Sequence, residues 1–290
     1  MKIGIPRALF YYHYPSLWES FVLLLGMEPV LSSPTSTKTI EQAALVSETE
    51  NCLPVKLLDA HVASLVGRAD MILVPRLISM MKGRVSCPKL GALADVARAN
   101  LRGRAEIVSF TIDENREPLS KTLSNVGISL GIARKRSKMA AHEALETMNT
   151  RRRTLETALG RGDRPRILLL SHPYLIHDEY LAGPIRMKLE EMNVEVYFPP
   201  LQEFEKTPEL SAWDTCSRLH QTLTELDPCS LSGVIQLSSF NCGCDSIMVE
   251  FFRELLREKK ISYMALIIDE HTAQGGLETR LEAFVDSMGW

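Results

Sequence analysis

The chain has no uncharged apolar run near the roughly 20 residues that a membrane helix needs. Its opening segment, MKIGIPRALFYY, reads as a strand and turn and lacks the apolar core and small-residue cleavage site of a secretory signal. Both absences point to the cytoplasm, so the six cysteines are expected as thiols, thiolates or metal ligands rather than disulfides. A charge excess is missing too: the net charge is −3, which gives nucleic acid or an anionic membrane no global attraction. Neither GxGxxG nor GxxxxGK[ST] occurs, so the usual phosphate-cradling loops are excluded. Aromatics are sparse, and none interleaves with the basic residues Arg134, Lys135, Arg136, Lys138 and Arg151 to Arg153. That stretch reads as a solvated helix face, not an RNA surface.

What is there is an alternation of short apolar runs and amphipathic windows in 290 residues of ordinary globular composition. KIGIP, EPVLS, DMILVPRL and AEIVSFTID read as four strands, with helices over PSLWESFVLLLG, SPTSTKTIEQAALV, LPVKLLDAHVASLVG and CPKLGALADVARANL. A long polar helix follows, about 137–160, with Ala144, Leu145, Met148, Leu155 and Leu159 on one side. GRGDRPR is the candidate linker. The alternation restarts with strands ILLLSHP, VEVYFPP, GVIQLSSF and ISYMALIID and their helices. Nearly continuous apolar strands between helices predict parallel sheets covered on both faces. The expected fold is α/β: two Rossmann-like or flavodoxin-like doubly wound domains, 1–160 and 161–290, with a cleft between them.

In such sheets ligands bind beyond the carboxyl ends of the strands. Cys52 in ENCLPVK, Cys87 in SCPKL and Cys242 in SFNCGCDS all stand just before expected helix starts. A helix N-terminus favours thiolate and offers N–H donors to an anionic centre. Three independent buried thiols remain the plain alternative. A zinc site is less favoured, because zinc usually shows two close CxxC or HxxxH pairs and these cysteines are far apart in sequence, one on each of three loops. The CxC pair of Cys242 and Cys244 has the wrong spacing for a thioredoxin-like couple and an awkward geometry for a disulfide. Cys216, inside an amphipathic helix, and Cys229, on a turn, read as ordinary thiols.

Asp269, Glu270 and His271 end the last strand and are candidates for acid–base work or for hydrogen bonds around a cofactor, with helix capping as the alternative. Asp113 and Glu114 carry the same ambiguity. His172 and His177 follow the first strand of the second half, where a loop hydrogen-bonding role competes with a ligand contact. Arg76, Lys56 and Lys89 are candidates to offset negative charge near the cysteines.

MKIGIPRALFYYHYPSLWESF, CLPVK, ILVPRL, CPKL, SFNCGCDS and IIDEHTAQGGLETRLEAF together resemble the uncharacterised domain family associated with acyl-CoA dehydratase activases. That family is distantly similar to 2-hydroxyacyl-CoA dehydratase subunits and double-cubane-cluster proteins. The resemblance runs over nearly the whole chain. It implies an iron–sulfur cluster, most simply [4Fe–4S], held by Cys52, Cys87 and Cys242. Cys244 stands where the family usually has another residue, and is either a fourth ligand or a bystander. Three thiolates would leave one iron open. The DxGxT motif of the activase ATPases is absent. The resemblance therefore implies an acceptor of low-potential electrons from an ATP-dependent activase, acting in reduction or dehydration chemistry. The alternative is a non-catalytic cluster-binding scaffold or redox-sensing partner. A homodimer or a dehydratase-like partner is expected.

Overall fold

The computed structural model describes residues 1–155, 164–199, 211–271 and 274–289. The chain folds into two compact units. The first comprises Met1–Thr49, Val55–Thr154 and Ala212–Asp214; the second comprises Glu50–Pro54, Leu155–Ser211 and Thr215–Trp290.

In the first half of the sequence, strands β1 (Lys2–Ile5), β2 (Glu28–Leu31), β3 (Met71–Leu73), β4 (Arg76–Ser79), β5 (Glu106–Val108) and β6 (Thr111–Asp113) alternate with helices. These are α1 (Phe10–His13), α2 (Leu17–Leu24), α3 (Thr37–Val46), α4 (Leu53–Ser64), α5 (Pro88–Gly91), α6 (Leu93–Leu101), α7 (Leu119–Ser129) and α8 (Arg134–Leu155). The main sheet is parallel, in the order β2-β1-β3-β5. DMILVPRL and AEIVSFTID, each expected as one strand, both break in two. Pro75 has no N–H to give to a ladder, so the third strand cannot run through it. Val74 N–H still donates to Val108 O at 3.0 Å, and Arg76 N–H to Phe110 O at 2.8 Å. The chains then continue as β4 and β6, a separate parallel pair.

Trp18, Phe10 and Phe21 are fully buried in this unit. Phe10 and Trp18 meet edge to face at 5.4 Å, and the Trp18 indole donates to Phe10 O at 3.2 Å. Burying each such ring contributes about 1.5–3 kcal/mol. α8 turns Ala140, Ala141, Ala144 and Met148 inward at helical spacing. Ser137, at its start, is fully buried and donates to Ser124 O of α7 at 2.7 Å. Gly127 lets the two helices approach there, since a Cβ at that position would run into the Ser137 hydroxyl. The basic stretch on α8 is mixed. Arg134, Lys135, Arg136, Lys138, Arg151 and Arg153 are exposed as expected, whereas Arg152 is buried. Its guanidinium donates to His13 O at 3.1 Å and lies 6.0 Å from the centre of the Tyr14 ring. Leu159 and the start of the linker segment lie outside the described residues.

The second half carries β7 (Arg166–Leu170), β8 (Glu195–Tyr197), β9 (Gly233–Ser239) and β10 (Ser262–Ile268). Its helices are α9 (Pro173–Ile176), α10 (Glu179–Glu191), α11 (Asp214–Glu225), α12 (Gly243–Glu258) and α13 (Gln274–Ser287). The sheet is parallel, in the order β10-β9-β7-β8. Counted within each unit, both main sheets therefore run second-first-third-fourth. This is the doubly wound order in which the first and third strands send their connections opposite ways and leave a crevice at their carboxyl ends. All seven residues of β9 are buried, as expected of a central parallel strand covered on both faces. Among the described residues no helix is long and apolar enough to cross a membrane.

Candidate functional site

In the second unit the crevice position falls beyond β7 and β9. After β9 the chain turns through Phe240 and Asn241, and Asn241 takes the left-handed conformation at φ 61°, which asparagine tolerates better than most residues. The Cys242 N–H closes the turn on Ser239 O at 3.0 Å. Cys242 is then the N-cap of α12, and its carbonyl accepts from Ser246 N–H at 3.0 Å.

His172 caps α9 just past β7, and Asp245 lies in the first turn of α12. Both are buried, at 5% and 1% exposure. His172 Nε2 stands 2.8 Å from Asp245 Oδ1. The other carboxylate oxygen accepts from Ser238 Oγ at 2.8 Å. The imidazole stacks on Tyr174, with centroids 4.9 Å apart. Its Nδ1 is buried without a partner among the described residues. Donor atoms of His172, Cys242 and Asp245 all lie within 4.8 Å of one another.

The electrostatics follow from this packing. Burial alone would lower the His172 pKa, but the Asp245 carboxylate outweighs it and holds the imidazole well above its ordinary value. Burial pushes the Asp245 carboxyl up, and His172 more than reverses that. Each partner thus favours the charged form of the other. Burial raises the Cys242 thiol, while His172 works the other way. The three groups offer nitrogen, sulfur and oxygen to a metal ion. A single ion bound by both His172 and Asp245 would have to displace their direct hydrogen bond, because ligands held at about 2 Å from one ion stand further apart than this.

The cysteines expected to act together divide as follows. Cys52 is half-buried and belongs to the segment Glu50–Pro54, which packs with the second unit. The next residue, Leu53, donates its backbone N–H to Ser239 Oγ at 3.0 Å, where β9 ends. Cys242 follows three residues after Ser239. Cys87, also half-buried, is the N-cap of α5 in the first unit. Cys244 is buried, while Cys242 is half-exposed. Cys216 is buried and Cys229 exposed, and no disulfide joins any of the six cysteines.

The remaining candidates make the following contacts. His271 is exposed and donates its N–H to Asp269 Oδ1 at 2.9 Å. Asp269, Glu270 and His271 follow β10, one strand over, and the His172 group contains none of them. Asp113 accepts from Asn115 N–H at 3.1 Å in the turn after β6, and Glu114 from Leu119 N–H at 3.0 Å at the first residue of α7. Arg76 is committed to a two-pronged pair with Asp95 at 2.9 and 2.6 Å. His177 is half-buried, and desolvation pushes it down to about 4. The sequence reading missed Asp245. The available signal was its place in the first turn after the third strand of its unit, opposite a histidine after the first.

The family described as the CoA enzyme activase uncharacterised domain matches residues 2–201. The span includes Cys52, Cys87 and His172 and stops short of Cys242 and Asp245. The comparison with curated proteins gives no match. Among solved structures, the chain is similar to ZnuA at 10% identity, covering 99% of this chain and 98% of that one with a TM-score of 0.27. A zinc-bound variant of AdcAII from Streptococcus pneumoniae gives 11% identity, 99% coverage of both chains and a TM-score of 0.30. Glucosamine-6-phosphate deaminase from Thermotoga maritima gives 11% identity, coverage of 98% of this chain and 83% of that one, and a TM-score of 0.23. Likeness at these scores carries no argument for this chain.

Proposed function

Because the chain belongs to the CoA enzyme activase uncharacterised domain family, we propose that it is a cytoplasmic iron–sulfur component of a dehydratase-type system, accepting low-potential electrons from an ATP-dependent activase. The family membership fits a dehydratase-type system; the cluster and the electron transfer are this reading's own. Cys52, Cys242 and Cys87 are the proposed thiolate ligands of a [4Fe–4S] cluster.

One observation carries the reading. The Leu53 N–H to Ser239 Oγ bond joins the Cys52 loop to the Cys242 turn although the two residues are 186 apart in sequence. Two thiols that the sequence keeps far apart therefore stand on stitched loops at the carboxyl end of one strand. The donor set suits the group: half-buried thiols, outside any disulfide and ahead of helix starts, the softest ligands the chain has. When bound, a cluster supplies one-electron chemistry, and thiolate ligation leaves its potential to the surroundings. The chain's own contribution is to present the thiolates and limit water. The N-terminus of the 16-residue α12 favours negative charge at Cys242. His172, whose charged form the Asp245 carboxylate favours, stands beside it. Asp269, Glu270 and His271 are proposed for proton handling at the neighbouring strand end.

Anaerobic reconstitution followed by iron and sulfide analysis and electron paramagnetic resonance tests the proposal. Wild-type protein is expected to take up iron and sulfide, and Cys52→Ser, Cys87→Ser and Cys242→Ser each to lose most of it. Cys216→Ser should change nothing. Wild-type protein that stays fully folded and binds no iron would sink the reading.

A further inference from the structure

The loop that leaves β1 in the first unit carries a separate polar cluster. Arg7 stands two residues past the end of β1. Its backbone N–H donates to Ser32 Oγ at 2.8 Å, which ties the loop to the end of β2. The Tyr11 phenol donates to Glu19 Oε1 at 2.7 Å and lies within reach of the Arg7 charge. A cation and a carboxylate thus flank one phenol. Two buried atoms on the flanks of this chain have no partner among the described residues: Arg7 Nε, a donor, and Glu19 Oε2, an acceptor. A buried donor or acceptor left unpaired is costly, so both call for a missing group.

The cluster is not sealed in the core, since Arg7, Tyr11 and Glu19 are all half-buried. It lies at the carboxyl end of the first strand, beside the crevice that the second-first-third-fourth order creates. The loop is held in an unusual shape: Leu9 has φ 43° and ψ −103°. Non-glycine residues rarely adopt such values outside functional loops. Behind Arg7, His61 is buried and held neutral, lowered to about 4 by burial and by the Arg7 charge; its Nε2 stands 3.2 Å from Thr35 Oγ1. It offers Arg7 no competing negative charge.

We propose that this loop binds a small carboxylate bearing a hydrogen-bond donor on the neighbouring carbon, with the carboxylate accepting from Arg7 and the ammonium or hydroxyl donating to Glu19. A simple anion would satisfy Arg7 and be repelled by Glu19, and a simple amine the reverse. Only a ligand with both functions completes both atoms. The site is independent of the cysteines, so iron-free protein serves for the test.

Isothermal titration of the wild-type chain with glycine, glycolate and acetate decides it. Glycine and glycolate share a skeleton and differ only in the donor, while acetate has none. At least one of the first two is expected to bind in the millimolar range, and acetate at least tenfold more weakly; the stronger of the pair identifies the donor. Arg7→Gln and Glu19→Ala should each weaken that binding tenfold or more. The proposal is overturned if none of the three binds, if acetate binds as well as the others, or if folded variants bind as the wild type does. Should a variant fail to fold, the ligand series on the wild type decides alone.

Discussion

The two units share a strand order and differ in what stands at the carboxyl ends of their first and third strands. In the first unit the third and fourth strands break, at Pro75 and at Ser109–Phe110, and restart as the β4–β6 pair. Its first-strand loop holds a half-open Arg7–Tyr11–Glu19 chain with atoms to spare. In the second unit β9 and β10 each run seven residues without a break. The corresponding loops there bring a buried His172–Asp245 pair against a half-exposed thiol. The same topology thus presents charge in two ways: as a half-buried chain with unpaired atoms in one unit and as a closed, compensated pair in the other. The sheet supplies the position, and burial decides which chemistry the position can hold.

The closed pair is the more fragile of the two, and the sharpest way to break the contrast is to remove half of it. Asp245→Asn leaves His172 buried without its carboxylate and should cost about 3–5 kcal/mol, read as a shift of the urea midpoint. Asp95→Asn, which removes the exposed partner of Arg76, should leave the midpoint where it is.

Acid probes both units at once, through a histidine in each whose charged form burial disfavours. His61 in the first and His177 in the second are both lowered to about 4 by burial. Above the ordinary histidine value of about 6.5 both states are neutral and nothing changes. As the pH falls from there to 4, the unfolded chain takes up a proton that the folded chain refuses. Each histidine then costs about 1.4 kcal/mol per pH unit, or roughly 3 kcal/mol in all. Urea midpoints at pH 7 and pH 4.5 should therefore fall less in His61→Asn or His177→Asn than in the wild type, relative to each variant's own value at pH 7.

The smallest effects separate the glycines. Gly127→Ala pushes α7 against Ser137 of α8 and Leu25 at the end of α2 and should cost about 1–3 kcal/mol. Gly243→Ala meets nothing within 4 Å at the start of α12. It should be neutral or gain up to about 1 kcal/mol from helix propensity. Thermal melts of the two variants give opposite signs.

Much of the fold is legible in the sequence because parallel strands buried on both faces must be short apolar runs, and the helices between them amphipathic. GVIQLSS and SYMALII are read almost to the residue. DMILVPRL is misread because its apolar pattern continues through Pro75, and the cost of the missing N–H is visible only when the partner strand is known. Cys242 is legible as a residue on a strand-to-helix turn. Its neighbours are not, because His172 and Asp245 are 73 residues apart and Asp245 looks like any acidic residue at a helix start. Arg7, Tyr11 and Glu19 lie in a quoted motif, yet spacing alone does not reveal that Tyr11 joins the other two. Arg152 is missed for the opposite reason: a run of three arginines looks solvated until a carbonyl and a ring are placed beside the middle one.

The segment boundaries of the units have a consequence for how the chain is made. Residues Glu50–Pro54 complete the second unit, and Ala212–Asp214 complete the first. There Trp213 pairs with Val85 and the Asp214 carboxylate accepts from Met80 N–H at 3.0 Å. On the ribosome, then, the amino-terminal unit waits for a stretch synthesised much later, while a stretch synthesised early waits for a sheet that does not yet exist. Long-range closures of this kind slow folding and lengthen exposure to aggregation. Gene fragments cut between the two halves are expected to give insoluble or loosely packed products, and co-expressing the fragments should recover more soluble protein than either alone.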